Sequence, residues 1–185
     1  MKRLAAVALL SLAGTAMAAD VDQRVAASRA AAQTFGMNLK AELQAALKSG
    51  GPMNGLAVCN EKAADIAEAT SKELRLTIGR TSFKVRNPNN AADPWERDIL
   101  TQFETRKAGG EPISELEHYE VTDSQGQLTF RYMKAIPTAK VCLACHGDTL
   151  ASELEARLDK LYPEDQARGF KEGDIRGAFT ISQPM

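Results

Sequence analysis

The chain is poor in the side chains that hold metals and cofactors: 185 residues contain only two histidines and three cysteines. Any metal or cofactor site must draw on that short list, and three cysteines cannot all pair with one another. A basic field is also missing. Lys and Arg number 23 against 24 Asp and Glu, a formal charge of −1, so nothing attracts nucleic acid or an anionic membrane. Past residue 18 there is no long apolar run, no internal repeat and no low-complexity tract. With 25% charged and 44% hydrophobic residues in one domain's length, the composition excludes a disordered polymer and a multidomain receptor.

The first eighteen residues have another purpose. Met1-Lys2-Arg3 precedes an apolar run from Leu4 to Ala13, and Ala16-Met17-Ala18 places small residues where a signal peptidase cuts. The run is too short to span about 30 Å of hydrocarbon, and no cysteine follows the cut to carry a lipid. The expectation is a signal peptide over 1–18, one domain over 19–185, and a soluble periplasmic protein without membrane insertion after cleavage. That compartment is oxidising.

Residues Ala19 to Ser49 carry Phe35, Leu39, Leu43 and Leu47 every four residues, which predicts a long amphipathic helix ended by Gly50-Gly51-Pro52. A second helix is expected over Leu56 to Glu73, with a small-residue face that permits close approach of a neighbour. A strand follows over Leu74 to Arg80, and Arg86-Asn87-Pro88-Asn89-Asn90 reads as a loop. Asp93-Pro94-Trp95-Glu96 is a helix start, with Asp as N-cap, Pro at the first position and Glu reaching back; Trp95, Ile99, Leu100 and Phe103 form its inner face. Segments Ser114–Thr122 and Gln127–Ile136 flank a turn at Asp123–Gly126 as a hairpin with one core face. A helix near Ser152 gains a capping box from Glu155, and Ala178–Ser182 forms the last strand. The fold class is α+β, with an antiparallel sheet interrupted by helical connections.

Cys142-Leu143-Ala144-Cys145-His146 carries the chemistry. Two cysteines separated by two residues can add across the vinyl groups of one haem, and the adjacent histidine meets the iron. Such attachment follows export, which the signal peptide supplies. A thioredoxin-type dithiol would open a helix after a strand in a βαβ unit, and this motif comes late, after a hairpin. A zinc site from Cys59, Cys142, Cys145 and His146 is awkward because two of its ligands are adjacent. The reading is one covalent haem c. For the opposite face of the iron the residues leave open Met37, Met53, Met133 or Met185, His118, Cys59, or no ligand. Axial ligands move haem potentials over about 0.8 V, roughly 18 kcal/mol for one electron, so this choice outweighs surface effects. Cys59 has no partner once the motif cysteines are consumed, and its place near the start of the second helix favours the thiolate.

Five segments resemble a family of exported single-haem proteins, first assigned as a domain of unknown function and described from a cyanobacterial member. They are Val58-Cys59-Asn60-Glu61-Lys62-Ala63; Ile78-Gly79-Arg80-Thr81-Ser82-Phe83-Lys84-Val85-Arg86-Asn87-Pro88-Asn89-Asn90; Trp95-Glu96; Cys142-Leu143-Ala144-Cys145-His146-Gly147; and Gly173-Asp174-Ile175-Arg176-Gly177-Ala178. The resemblance implies a PAS-like fold with a long N-terminal helix and flanking helices, and iron ligated by His146 and by the Cys59 thiolate. It also implies redox or small-gas sensing, with NO or CO as ligands. Arg80, Lys84 and Arg86 are cofactor-binding candidates through the haem propionates. An electron carrier is the alternative function. A peroxidase-like enzyme is a weak third, since His118 is a poor acid–base candidate, so no catalytic residue and no enzyme is expected. The chain carries no transmembrane or output domain of its own, so sensing requires a separate redox or signalling partner.

Overall fold

The structure is a computed structural model that describes residues 7–185. The basic start of the expected signal peptide, Met1-Lys2-Arg3, lies outside the described residues. Helix α1 runs Val7–Ala57 but is broken inside, at Gly50 and at Gly51, whose φ of 66° and ψ of −159° only glycine adopts at low cost. The break reverses the chain, and the helix resumes at Pro52, whose missing N–H suits a first helical position. The two arms pack side by side: Lys62 Nζ meets Glu42 at 2.8 Å, and Leu43 and Leu47 close over Gly55, where a Cβ would lie 3.1 and 3.0 Å from their methyl groups. The second arm continues through a π turn at Val58–Lys62 into α2 (Ala63–Leu74). The expected second helix is therefore one run with a wide turn inside it.

Strand β1 (Thr77–Thr81), the hairpin β2 (Glu117–Ser124) and β3 (Gln127–Pro137), and β4 (Ile175–Pro184) make one antiparallel sheet in the order β1-β4-β3-β2. The hairpin turns on Gln125 and Gly126, both at positive φ, so the turn is narrower than Asp123–Gly126. Between β1 and β2 lies α3 (Pro94–Ala108), with the expected capping box in place: Asp93 Oδ1 accepts from Glu96 N at 2.8 Å, and Glu96 Oε2 accepts from Asp93 N at 3.1 Å. Two short helices follow β3: α4 (Leu143–His146) and α5 (Ser152–Leu161).

The sheet is covered on both faces, not on the single face expected. Phe130, Tyr132, Ile78 and Ile181 pack against Val25, Ala31, Ala32 and Phe35 of α1. The alternate residues Met133, Ala135 and Ala178 pack against Ile99, Leu100 and Phe103 of α3. Leu128, expected inside, is 38% exposed because it lies beyond the cover of α1, near the hairpin tip. A second correction concerns α5. Its N-cap is Ala151 and Ser152 is already helical, so no capping box forms; Glu155 instead pairs with Arg168 at 3.2 Å. The architecture is nonetheless the expected α+β, PAS-like one, with a long N-terminal helix on an antiparallel sheet.

Candidate functional site

The Cys142–His146 motif lies in the long excursion between β3 and β4, which is pinched at its neck: Thr138 N donates to Asp174 O at 2.8 Å and Gly173 N to Thr138 O at 2.9 Å. Inside, a 3₁₀ turn at Lys140–Cys142 leads into α4, and the next strand of chain ties back onto it. Gly169 N donates to Gly147 O and Phe170 N to His146 O, each at 2.9 Å. None of the three cysteines is in a disulfide.

His146 is oriented from behind. Its Nδ1 lies 2.7 Å from the carbonyl oxygen of Ala167, an acceptor, so Nδ1 carries the proton and Nε2 keeps its lone pair. Burial, then the charges of Arg176 and Arg86, push the imidazole pKa down to about 3, so the ring is neutral at ordinary pH. Phe170 meets the ring edge-on, with centroids 6.2 Å apart.

Arg86 holds that arrangement. Its side chain and that of Asp165 are 8% and 1% exposed, and Nη2 and Nε each reach a carboxylate oxygen at 3.1 Å. Nη2 also donates to Cys145 O at 2.7 Å and to Ala167 O at 3.3 Å. Arg86 was expected to serve a haem propionate; its Nε and Nη2 are instead engaged by one carboxylate and two carbonyls, which offset the cost of burying the charge. Its place is behind the motif.

Cys59 stands in the π turn, in the middle of a continuous helical run from Pro52 to Leu74. The expected helix-start dipole therefore does not act on it. What singles out its position is the turn itself, where Ala63 N reaches back five residues to Val58 O; such bulges recur at functional sites. The thiol shares an electrostatic neighbourhood with the motif. Burial pushes the Cys145 thiol up, and charge on Cys59 and Cys142 adds to it; burial also raises Tyr162, again with a contribution from Cys59. Tyr162 Oη donates to Asn60 Oδ1 at 2.7 Å, fastening α5 to the π turn beside Cys59. Apolar packing joins the same parts, with Leu56 on Leu154 and Leu158 and with Met53, Cys145 and Tyr162 at the margin.

Three further cations surround this region. Burial lowers the pKa of Arg80, with Cys59 and Tyr162 opposing; its guanidinium lies 5.7 Å from the Phe35 ring and has no carboxylate partner among the described residues. Lys84 is exposed, 5.2 Å above Phe170, with Nζ 3.3 Å from Arg168 O. Arg176 lies 5.0 Å over the same ring and donates through Nη1 to Ser82 Oγ and Lys84 O, both at 3.2 Å. Burial, then Arg86 and Arg80, lower its pKa to about 10. The sequence reading quoted Arg176 without giving it a role, and missed Asp165, Ala167, Phe170 and Tyr162. Nothing local marks these four; only the excursion's folding-back brings them to the motif.

The other ligand candidates separate by position. Met133 is fully buried on the α3 face, Met37 and Met185 are 61% and 38% exposed, and only Met53 borders the cluster containing Cys145. His118 lies on β2, at the sheet edge opposite β1, 3.3 Å from Glu120. Among the described residues no three His, Cys, Asp or Glu side chains converge to hold a bare metal ion, and no helix is long and apolar enough to cross a membrane.

No curated protein matches the sequence. Among solved structures, the crystal structure of the cyanobacterial haem protein Tll0287 is similar, with 24% identity and a TM-score of 0.62 over 90% of this chain and 95% of that one. The Tll0287-like family profile matches residues 11–184, nearly the whole length. The chain belongs to the Tll0287-like family.

Proposed function

We propose that this is an exported protein with one haem, attached covalently through Cys142 and Cys145, whose iron is held by His146 and Cys59, and that it senses redox state or a small gas such as NO or CO. The observation that carries the reading is His146: a neutral imidazole at the end of the motif turn, with Nδ1 bound to Ala167 O and Nε2 free. That is how a histidine is prepared to ligate a metal. The residues fit the group in other respects. The motif thiols are unpaired and partly exposed, the Cys59 thiol shares their neighbourhood, and Arg80 and Arg176 have no carboxylate partners among the described residues, as haem propionates require. Bound haem supplies one-electron chemistry at iron; the chain supplies the ligands and their orientation. The similar cyanobacterial protein is itself described as a haem protein.

The sensing role rests on Cys59, a ligand whose hold on iron depends on oxidation state. The partial exposure of the Cys142 and Cys145 thiols favours a second reading, a periplasmic electron carrier whose haem edge a partner can reach. An enzymatic role is not proposed, since His118, the one remaining imidazole, is at the far sheet edge. The test is a haem stain after denaturing electrophoresis, then absorption and EPR spectra of ferric and ferrous protein beside Cys59→Ala. Covalent haem with a low-spin ferric thiolate signature that vanishes in the variant supports the assignment. Ferrous absorption bands that coincide with those of Cys59→Ala, so that the thiolate has left on reduction, point to sensing, and ferrous bands that still differ from the variant's point to a carrier. Absence of the ferric signature from the unmodified protein refutes Cys59 as the ligand.

A further inference from the structure

The Ala167 carbonyl is a shared acceptor. His146 Nδ1 lies 2.7 Å from it, and Arg86 Nη2, fixed by a carboxylate that is 1% exposed, donates to it at 3.3 Å. The same Nη2 donates to Cys145 O at 2.7 Å, so one guanidinium grips the motif turn and the carbonyl that orients its histidine. Asp165 is itself locked: Ala167 N donates to its Oδ1 at 2.9 Å and Arg168 Nε to its Oδ2 at 2.9 Å.

A carbonyl oxygen has two lone pairs. A cationic donor on one of them draws electron density away from the other, and the bond from Nδ1–H weakens. The stronger that bond, the more imidazolate character the ring acquires and the more it stabilises ferric over ferrous iron. We propose that Arg86, anchored by Asp165, is a positioning residue that limits the donor strength of His146 and thereby raises the potential of the iron. This rests on the functional reading above. Arg86 touches neither the ring nor, by this assignment, the haem; it acts through Ala167 O.

The test uses the haem-loaded protein with Arg86→Lys and Arg86→Gln. Lysine keeps the charge, but one ammonium cannot reach Asp165 and both carbonyls together. For Arg86→Lys the expected result is a lower midpoint potential, an increase on the order of tenfold in the ferric-to-ferrous ratio at fixed potential, about 59 mV for one electron. A second readout follows His146 directly. In a Cys59→Ala background, where Cys59 cannot ligate, the iron–histidine stretching band of the ferrous protein should rise in frequency with either substitution. Unchanged potential and band in Arg86→Lys overturn the proposal while leaving the haem assignment standing. Failure of both variants to take up haem shows a merely structural role and also overturns it. A parent chain that carries no covalent haem overturns the functional reading, and this proposal with it.

Discussion

Glu117 offers the sharpest test of the forces that hold α1 against the sheet. It gathers donors from three residues: Arg29 Nε at 3.1 Å from both carboxylate oxygens, Tyr132 Oη at 2.7 Å, and Lys134 Nζ at 3.7 Å. The Arg29 hydrogen bonds, with help from Tyr132, pull its pKa from 4.5 to about 2 despite burial. A shift of that size corresponds to about 3 kcal/mol at about 1.4 kcal/mol per pH unit. Arg29 is 57% exposed, and solvent screening brings the contribution to about 2 kcal/mol. Because the folded pKa is the lower one, this stability is fully present above pH 4.5 and is lost as the pH falls through 2, with about half gone at pH 3. Glu117→Gln keeps an acceptor for Tyr132 but not the charge. Urea unfolding followed by far-UV circular dichroism should show a deficit of about 2 kcal/mol at pH 7, shrinking to about 1 kcal/mol at pH 3. Glu117→Ala also strands the hydroxyl of the fully buried Tyr132, adding about 1–3 kcal/mol. A Glu117→Gln deficit that is the same at pH 7 and pH 3 would refute the linkage argument.

Three other expectations can be checked. Gly177 sits at φ 155° with its would-be Cβ 2.3 Å from Thr81 O, so Gly177→Ala should cost about 3 kcal/mol and lower the melting temperature by several degrees. Asp93→Ala removes a working capping box and should cost about 1 kcal/mol in chemical unfolding, whereas Ser152→Ala, at a helix start with no side-chain cap, should stay within about 0.5 kcal/mol. Tyr162→Phe deletes the hydrogen bond that fastens α5 to Asn60 beside Cys59. It should cost about 1 kcal/mol and, in the haem-loaded protein, alter the ferric EPR g values; a spectrum superimposable on the parent's would count against Tyr162 steadying that ligand.

Elements set by local chemistry were legible in the sequence. The α3 start was readable from Asp93, Pro94 and Glu96 because a capping box is made of neighbours, and the end of the first helical arm from Gly50-Gly51 because a reversal there needs glycine. The motif cysteines and histidine were readable for the same reason. Long-range geometry was not. The period-2 pattern of β3 suggested one buried face, and the second face is covered only because α3 crosses from a distant segment. Cys59 reads as near a helix start because Gly50-Gly51-Pro52 is taken as the end of one helix and not also as the start of the next, and nothing in the local sequence marks the π turn. Arg86 reads as a free cation until Asp165, 79 residues away, arrives beside it.

The site is assembled from two separately anchored parts. Cys59 belongs to the helical arm that packs on Leu43 and Leu47 and is held by Lys62 to Glu42. Cys142, Cys145 and His146 belong to the excursion closed at Thr138 and Asp174 and tied through Asp165 to Arg86 of the loop between β1 and α3. They meet at the Leu56, Leu154 and Leu158 contact, with Met53, Cys145 and Tyr162 at its margin, and at the Tyr162–Asn60 hydrogen bond. A covalently attached haem would travel with the excursion, whereas the proposed Cys59 bond would cross the seam between the parts. Breaking that bond would leave the anchors of both parts intact and change only the force across the seam. Beyond the iron–sulfur bond itself, movement of Cys59 would then work against only this apolar contact and one hydrogen bond, which suits a reversible signal. A carrier, by contrast, benefits from ligands that do not move between oxidation states. The seam is therefore where the two functional readings differ physically, and Tyr162→Phe, which loosens it without touching either anchor, should ease departure of the thiolate in the ferrous protein, read from its absorption bands, if the protein is a sensor.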